Sequence, residues 1–212
     1  MYSPDGQQIA YLSMATPGYE ADTNKIKIFD LQSGARREIA TAWDASVDEM
    51  CWSSDGSALF CTAQCKGHSA VYKVQLDDVS AGTKAAPTTL VATHANTGVS
   101  FVPSAADGGG GRLVFSQSSL CAPAEVFTCL ATDGSGLTAL SSINASALSS
   151  VTMGEVSELI CKGAHGDDVQ SWLLYPAGFD VKAHETEKYP LAVIVHGGPQ
   201  GTPPSRFAAA RD

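Results

Sequence analysis

His196-Gly197-Gly198-Pro199 follows directly on Leu191-Ala-Val-Ile-Val195. Consecutive glycines at the carboxyl end of a strand leave backbone N–H groups with no Cβ in the way. Such amides can stabilise the negative oxygen of a tetrahedral acyl intermediate. The loop His196-Gly197-Gly198 is the candidate source of such donors. Acyl transfer also needs a nucleophile, a general base and a group that orients the base. No G-x-S-x-G occurs in the 212 residues: Gly67-His-Ser-Ala-Val71 lacks the second glycine, and Gly134-Ser-Gly136 reads as a turn. Two carboxylates, Glu20 and Glu125, could receive a free α-ammonium in a cavity, since a desolvated ammonium requires an anionic partner.

Other chemistries find less support. The cysteines stand at 51, 61, 65, 121, 129 and 161, with no C-x-x-C pair. His68, His94, His165 and His184 sit in polar or turn-like stretches without metal spacing, so neither a metal site nor a cofactor is expected. Asp107-Gly-Gly-Gly-Gly-Arg112 lacks the Gly-Lys-Ser/Thr ending of a phosphate loop and reads as a hairpin loop. Cys121 and Cys129 could bridge a hairpin in an oxidising compartment. Asn144-Ala-Ser146 is a sequon usable only in a secreted protein.

The elements that would position these residues are mostly short strands. Lys25-Ile-Lys-Ile-Phe-Asp-Leu31 alternates polar and apolar, as a half-buried strand does. The same grammar returns at Ala58–Thr62 and Ala70–Leu76, and more loosely at Arg112–Ser116 and Glu125–Leu130. Asp5-Gly6, Asp55-Gly56 and Asp107-Gly108 recur at intervals of 50 and 52 residues. A repeat of that length, with four short strands each and tight Asp-Gly turns, predicts blades of a β-propeller. Residues 1–150 are therefore expected to form about three blades, too few to close a ring. Trp52, Trp172, Tyr72 and Phe127 are expected to fill blade or sheet cores.

From residue 151 the pattern changes. Glu158–Cys161 and Val169–Tyr175 read as two strands, and Leu191–Val195 as a third. This last run does not alternate, which predicts a strand covered on both faces, as at the centre of an α/β sheet.

Composition narrows the function classes. Hydrophobic residues make up 44% and charged residues 17%, too apolar for a disordered chain. A net charge of -9, from 13 Lys+Arg against 22 Asp+Glu, disfavours a nucleic-acid grip. Five consecutive apolar residues at 191–195 are too few to cross a bilayer. Met1 is followed by turn chemistry rather than a basic and apolar leader, so no signal peptide is read, and the compartment stays open between cytoplasm and secretion.

These segments resemble the prolyl oligopeptidase family of serine peptidases, in its dipeptidyl-peptidase V and acylaminoacyl-peptidase-like branch. The likeness rests on Tyr2-Ser-Pro-Asp-Gly6, Pro17-Gly-Tyr-Glu-Ala-Asp22, Trp52-Ser-Ser-Asp-Gly56 and Ala122-Pro-Ala-Glu-Val126. It continues through Gly166–Pro176, Gly178-Phe-Asp180 and, most specifically, Lys188–Gly201. The resemblance implies a mainly β chain: the C-terminal blades of a propeller, followed from 151 to 212 by the first strands of an α/β-hydrolase domain. It implies short peptides as substrates, with a dipeptide or blocked residue released from the amino end by acyl transfer through a serine, and the N–H of Gly198 as half of the oxyanion hole. It further implies a truncated fragment, inactive as it stands, whose triad lies elsewhere. The unclosed blades and the 191–195 strand are then expected to expose apolar surface.

Overall fold

A computed structural model describes residues 1–76, 86–104, 109–180 and 188–195. Blade 1 is the antiparallel sheet β1 (Gln8–Ser13), β2 (Lys25–Asp30) and β3 (Arg36–Glu38), with an isolated bridge between Tyr2 and Ile9 beside it. Blade 2 contains β4 (Val47–Trp52), β5 (Ala58–Cys65), β6 (His68–Gln75) and β7 (Thr88–Val91). Blade 3 contains β8 (Ala95–Val102), β9 (Arg112–Ser118), β10 (Glu125–Leu130) and β11 (Thr138–Ala139). One parallel bridge, Ser69 to Ala95, joins blades 2 and 3 into an eight-stranded sheet. A separate hairpin follows, β12 (Val156–Lys162) with β13 (Asp168–Leu174).

Blade 2 is buried on both faces, which explains why Ala58-Leu-Phe-Cys-Thr-Ala63 does not alternate. Leu59, Cys61, Ala63, Ala70, Tyr72 and Val74 pack against Ala10, Ile26, Ile28 and Ile39 of blade 1. Phe60 and Val71 point the other way, onto Val91, Val99, Leu113, Phe115 and Cys129 of the next layer. Each large side chain so buried contributes roughly 1.5–3 kcal/mol of transfer free energy. Trp52 and Tyr72 fill the first core and Phe127 packs against the second, as expected.

The Asp-Gly turns differ from the two-residue hairpins predicted. The chain passes over Pro4 and Asp5, and Gly6 N–H donates to the Ser3 carbonyl at 2.9 Å. Asp5 is an acceptor, not a left-handed residue: Ser3 Oγ donates to it at 2.6 Å and Gln7 N–H at 3.0 Å. Fifty residues on, Ser53 Oγ and Ser57 N–H donate to Asp55 at 2.6 and 3.0 Å. The third copy, Asp107-Gly108, lies outside the described residues. These bonds hold the exposed carboxyls of Asp5 and Asp55 below the ordinary range, the serine hydroxyls contributing most.

A buried polar node joins blades 2 and 3 beside their bridge. Asn96, fully buried, donates through Nδ2 to the carbonyls of Ser69 (2.7 Å) and Thr93 (2.9 Å). Its Oδ1 accepts from Gln117 Nε2 at 2.8 Å, and Ser69 Oγ donates to the Asn96 carbonyl at 2.9 Å. Every polar atom of the Asn96 side chain is satisfied, so its burial carries no desolvation debt.

Two expectations need correction. Leu191–Val195 forms no strand and is exposed, Leu191 by 75% and Ile194 by 93%. A central strand is covered only when strands pair with its edges and helices lie on its faces. Among the described residues no strand pairs with it. Cys121 and Cys129 are both free. Cys129 pairs with Leu113 in the core, whereas Cys121 lies in the β9–β10 turn and donates to the Gly154 carbonyl. At about 3.3 Å per residue along β10, the two cannot approach disulfide distance.

Candidate functional site

The direction of the strands places the candidate residues. β1, β5 and β9 run away from the Asp-Gly turns, and the next turns lie at the opposite end. Blades 2 and 3 share that polarity through their parallel bridge. Blade 1 shares it too, since Asn24 O accepts from Val47 N–H at 3.1 Å, start of β2 against start of β4. Consequently the loop 14–24 with Glu20, the turn 66–67, the connector 92–94 and the start of β10 with Glu125 all lie at one end.

The β12–β13 hairpin docks at that same end. Gln170 Nε2 donates to the Lys66 carbonyl at 2.8 Å and to Glu158 Oε1 at 2.7 Å. Trp172 lies over Gly67, where an added Cβ would stand 2.9 Å from the indole Nε1. Gly67 also takes φ 73°, so a side chain there would meet both the indole and a disfavoured backbone region. Trp172 thus fills no sheet core; it seals the hairpin onto blade 2, with the His68 ring 5.2 Å away. Sequence reasoning missed this contact, although Lys66-Gly67 between two strands carried the signal of a tight turn.

Glu125 is a clamp. Its Oε2 accepts from Ser141 Oγ and from Ile143 N–H at 3.0 Å. Its Oε1 accepts from Asn144 N–H at 2.8 Å and Asn144 Nδ2 at 2.9 Å. Those donors, Ser141 first, lower its pKa to about 2. The remaining Nδ2 hydrogen of Asn144, the sequon residue, goes to the Ala124 carbonyl at 3.0 Å. Glu20 is exposed in a loop closed by Thr16 N–H donating to Asp22 Oδ2 at 2.7 Å. His196, Gly197 and Gly198 lie outside the described residues, as does His184. Among the described residues no group of three or more His, Cys, Asp or Glu side chains is placed to hold a metal ion. No helix among them is long and apolar enough to cross a membrane.

The architecture defines a class first: propeller blades joined to a hairpin at the end opposite their Asp-Gly turns. The Pyrococcus horikoshii acylaminoacyl peptidase shares this fold, with a TM-score of 0.71 at 20% identity, over 96% of this chain and 28% of that one. In sequence the chain is 30% identical over 205 residues to dipeptidyl-peptidase 5 of Schizosaccharomyces pombe, and 33% identical over 205 residues to that of Trichophyton equinum. Those matches cover 93% and 95% of this chain, and 26% of each relative. No protein-family profile matches the chain. The chain thus groups with the dipeptidyl-peptidase 5 proteins in sequence, and it shares its fold with the acylaminoacyl peptidase. It spans about a quarter of the length of the curated relatives it matches.

Proposed function

We propose that the protein is a serine-type exopeptidase that releases a dipeptide or a blocked residue from the amino end of peptides. The observation that carries this reading is the likeness to dipeptidyl-peptidase 5 along nearly the whole chain. The docking of β12–β13 at the end of the blades that holds Glu20 and Glu125 agrees with it.

In this proposal residues 1–150 supply blades and 151–212 open the hydrolase domain. Leu191–Val195 becomes a central strand once neighbouring strands pair with it. The loop His196-Gly197-Gly198 then presents the Gly198 N–H to the developing oxyanion. Loss of one such donor typically raises the barrier by about 3–4 kcal/mol. The nucleophilic serine, the histidine base and its orienting carboxylate are assigned outside these 212 residues. The histidine takes the serine proton as Oγ attacks the scissile carbonyl, then returns it to the leaving amine. Glu20 is the carboxylate offered to a substrate ammonium, and Glu125, filled by four donors, holds the 141–144 segment at the same end of the blades. Peptide is the partner proposed; no nucleic acid, membrane or cofactor enters the reaction.

A fluorophosphonate probe applied to the full-length gene product tests the reading. Covalent labelling of a serine outside residues 1–212 is the expected result. A well-folded product that takes no label overturns it, and leaves the blades as a non-catalytic binding module or a pseudoenzyme.

A further inference from the structure

The turn that receives the hairpin also carries a histidine in a chemically restrictive position. His68 Nδ1 accepts the backbone N–H of His94 at 3.1 Å, while Ser69 N–H donates back to the His94 carbonyl at 2.9 Å. These bonds hold the connector between blades 2 and 3, whose His94 sits at φ 68°, a conformation disfavoured for a residue with a Cβ. The same His68 ring lies 5.2 Å from Trp172, tilted by 55°. One imidazole therefore touches the connector and the docked hairpin together.

We propose that His68 is a proton-operated latch: neutral, it ties the blade 2–blade 3 connector at the hairpin junction, and protonated, it lets that connector go. An imidazole that accepts at Nδ1 carries its proton on Nε2. A second proton can add only at Nδ1, which turns the acceptor into a donor facing the His94 N–H. That bond is then lost and replaced by repulsion between two N–H groups. The left-handed His94 loses its tether at the same moment.

Charged and titratable groups stand on the strand pair, the connector and the hairpin alike. Cys65 lies opposite His68 across the strand pair, and Lys66 stands in the turn between them. From the connector, His94 is itself held below the ordinary histidine range by desolvation and then by His68, so it resists charging first. From the hairpin, Glu158 accepts from Gln170, and Asp168 is paired with Lys162 at 2.5 Å. The tilt of the His68 ring leaves the indole off the face-on geometry in which a cation would gain most from Trp172.

The latch stands whether or not the protein hydrolyses peptides, because it is read at the junction itself. Hydrogen exchange of residues 92–96 is measured at pH 7.5 and pH 5.0, corrected for intrinsic rates, with β9–β10 as the internal control. Wild type is expected to lose about five- to tenfold of its protection at 92–96 in acid. His68→Asn, which can keep an acceptor near the Nδ1 position and cannot be protonated, is expected to lose none, and His94→Asn to lose as much as wild type. No acid-dependent loss in wild type, or the same loss in a folded His68→Asn, overturns the proposal. Should His68→Asn not fold, tryptophan emission decides. A change between pH 7.5 and 5.0 that is present in wild type and absent in Trp172→Phe supports the latch. A change that persists in Trp172→Phe, or none in wild type, refutes it.

Discussion

The six thiols divide by burial, and with it by chemistry. Desolvation pushes the Cys51 and Cys129 thiols up to about 11 and Cys61 to about 12. The nucleophile is the thiolate, so these three are inert at neutral pH. Cys65 and Cys161 are exposed. A thiol reagent at pH 8 should modify Cys65 and Cys161 quickly, and Cys51, Cys61 and Cys129 only after denaturation. Peptide mapping of the adducts reads the result. Glu125 makes the opposite case, a carboxylate whose charged form is favoured. Its pKa of about 2 lies below the ordinary 4.5. Its contribution is therefore complete above pH 4.5 and disappears as pH falls through about 2. Glu125→Gln should remove that acid dependence and speed amide exchange at 143–144 about tenfold at pH 7, since charge-assisted bonds are the stronger ones. Equal exchange in both proteins would show that the clamp holds nothing.

Turns decide how the strands meet, and two of them form a matched pair one hundred residues apart. Gly34 N–H donates to the Asp30 carbonyl and Gly134 N–H to the Leu130 carbonyl, both at 2.9 Å. Their φ values are 73° and 77°. A Cβ on Gly34 meets nothing within 4 Å, whereas one on Gly134 collides with the Leu90 carbonyl. Gly34→Ala should then cost only the left-handed conformation, about 1 kcal/mol. Gly134→Ala should cost clearly more, by at least another ~1 kcal/mol, because a backbone carbonyl of β7 must move. Urea unfolding of the two variants measures the difference, and equal losses would contradict the placement of β7 against that turn. The same pair shows what could be read in advance. Both turns were marked by Gly after a strand, but β7 itself was missed, since Thr88-Thr-Leu-Val91 is short and only its contact with β6 makes it a strand.

Across the molecule, two cores on opposite faces of blade 2 leave the Leu191–Val195 segment outside both. Val193, Ile194 and Val195 are 75%, 93% and 86% exposed. A contiguous apolar strip of this kind promotes association. Ile194→Lys with Val195→Lys should raise the solubility of the 212-residue chain while leaving its unfolding free energy within about 0.5 kcal/mol of the original. A large drop in stability would place the segment in a core after all. The mainly β architecture and most of its strands were legible in local pattern, because period-2 alternation and turn chemistry act over a few residues. The filled lone pairs of Glu125, the seat of Trp172 on Gly67 and the His68–His94 tie were not. Each joins residues far apart in the chain, and no local preference says which donor will arrive. Leu191–Val195 marks the boundary between the two kinds of information. Its composition suits a buried strand, but burial is supplied by neighbours, and the hydrophobic effect acts on surface that something else covers.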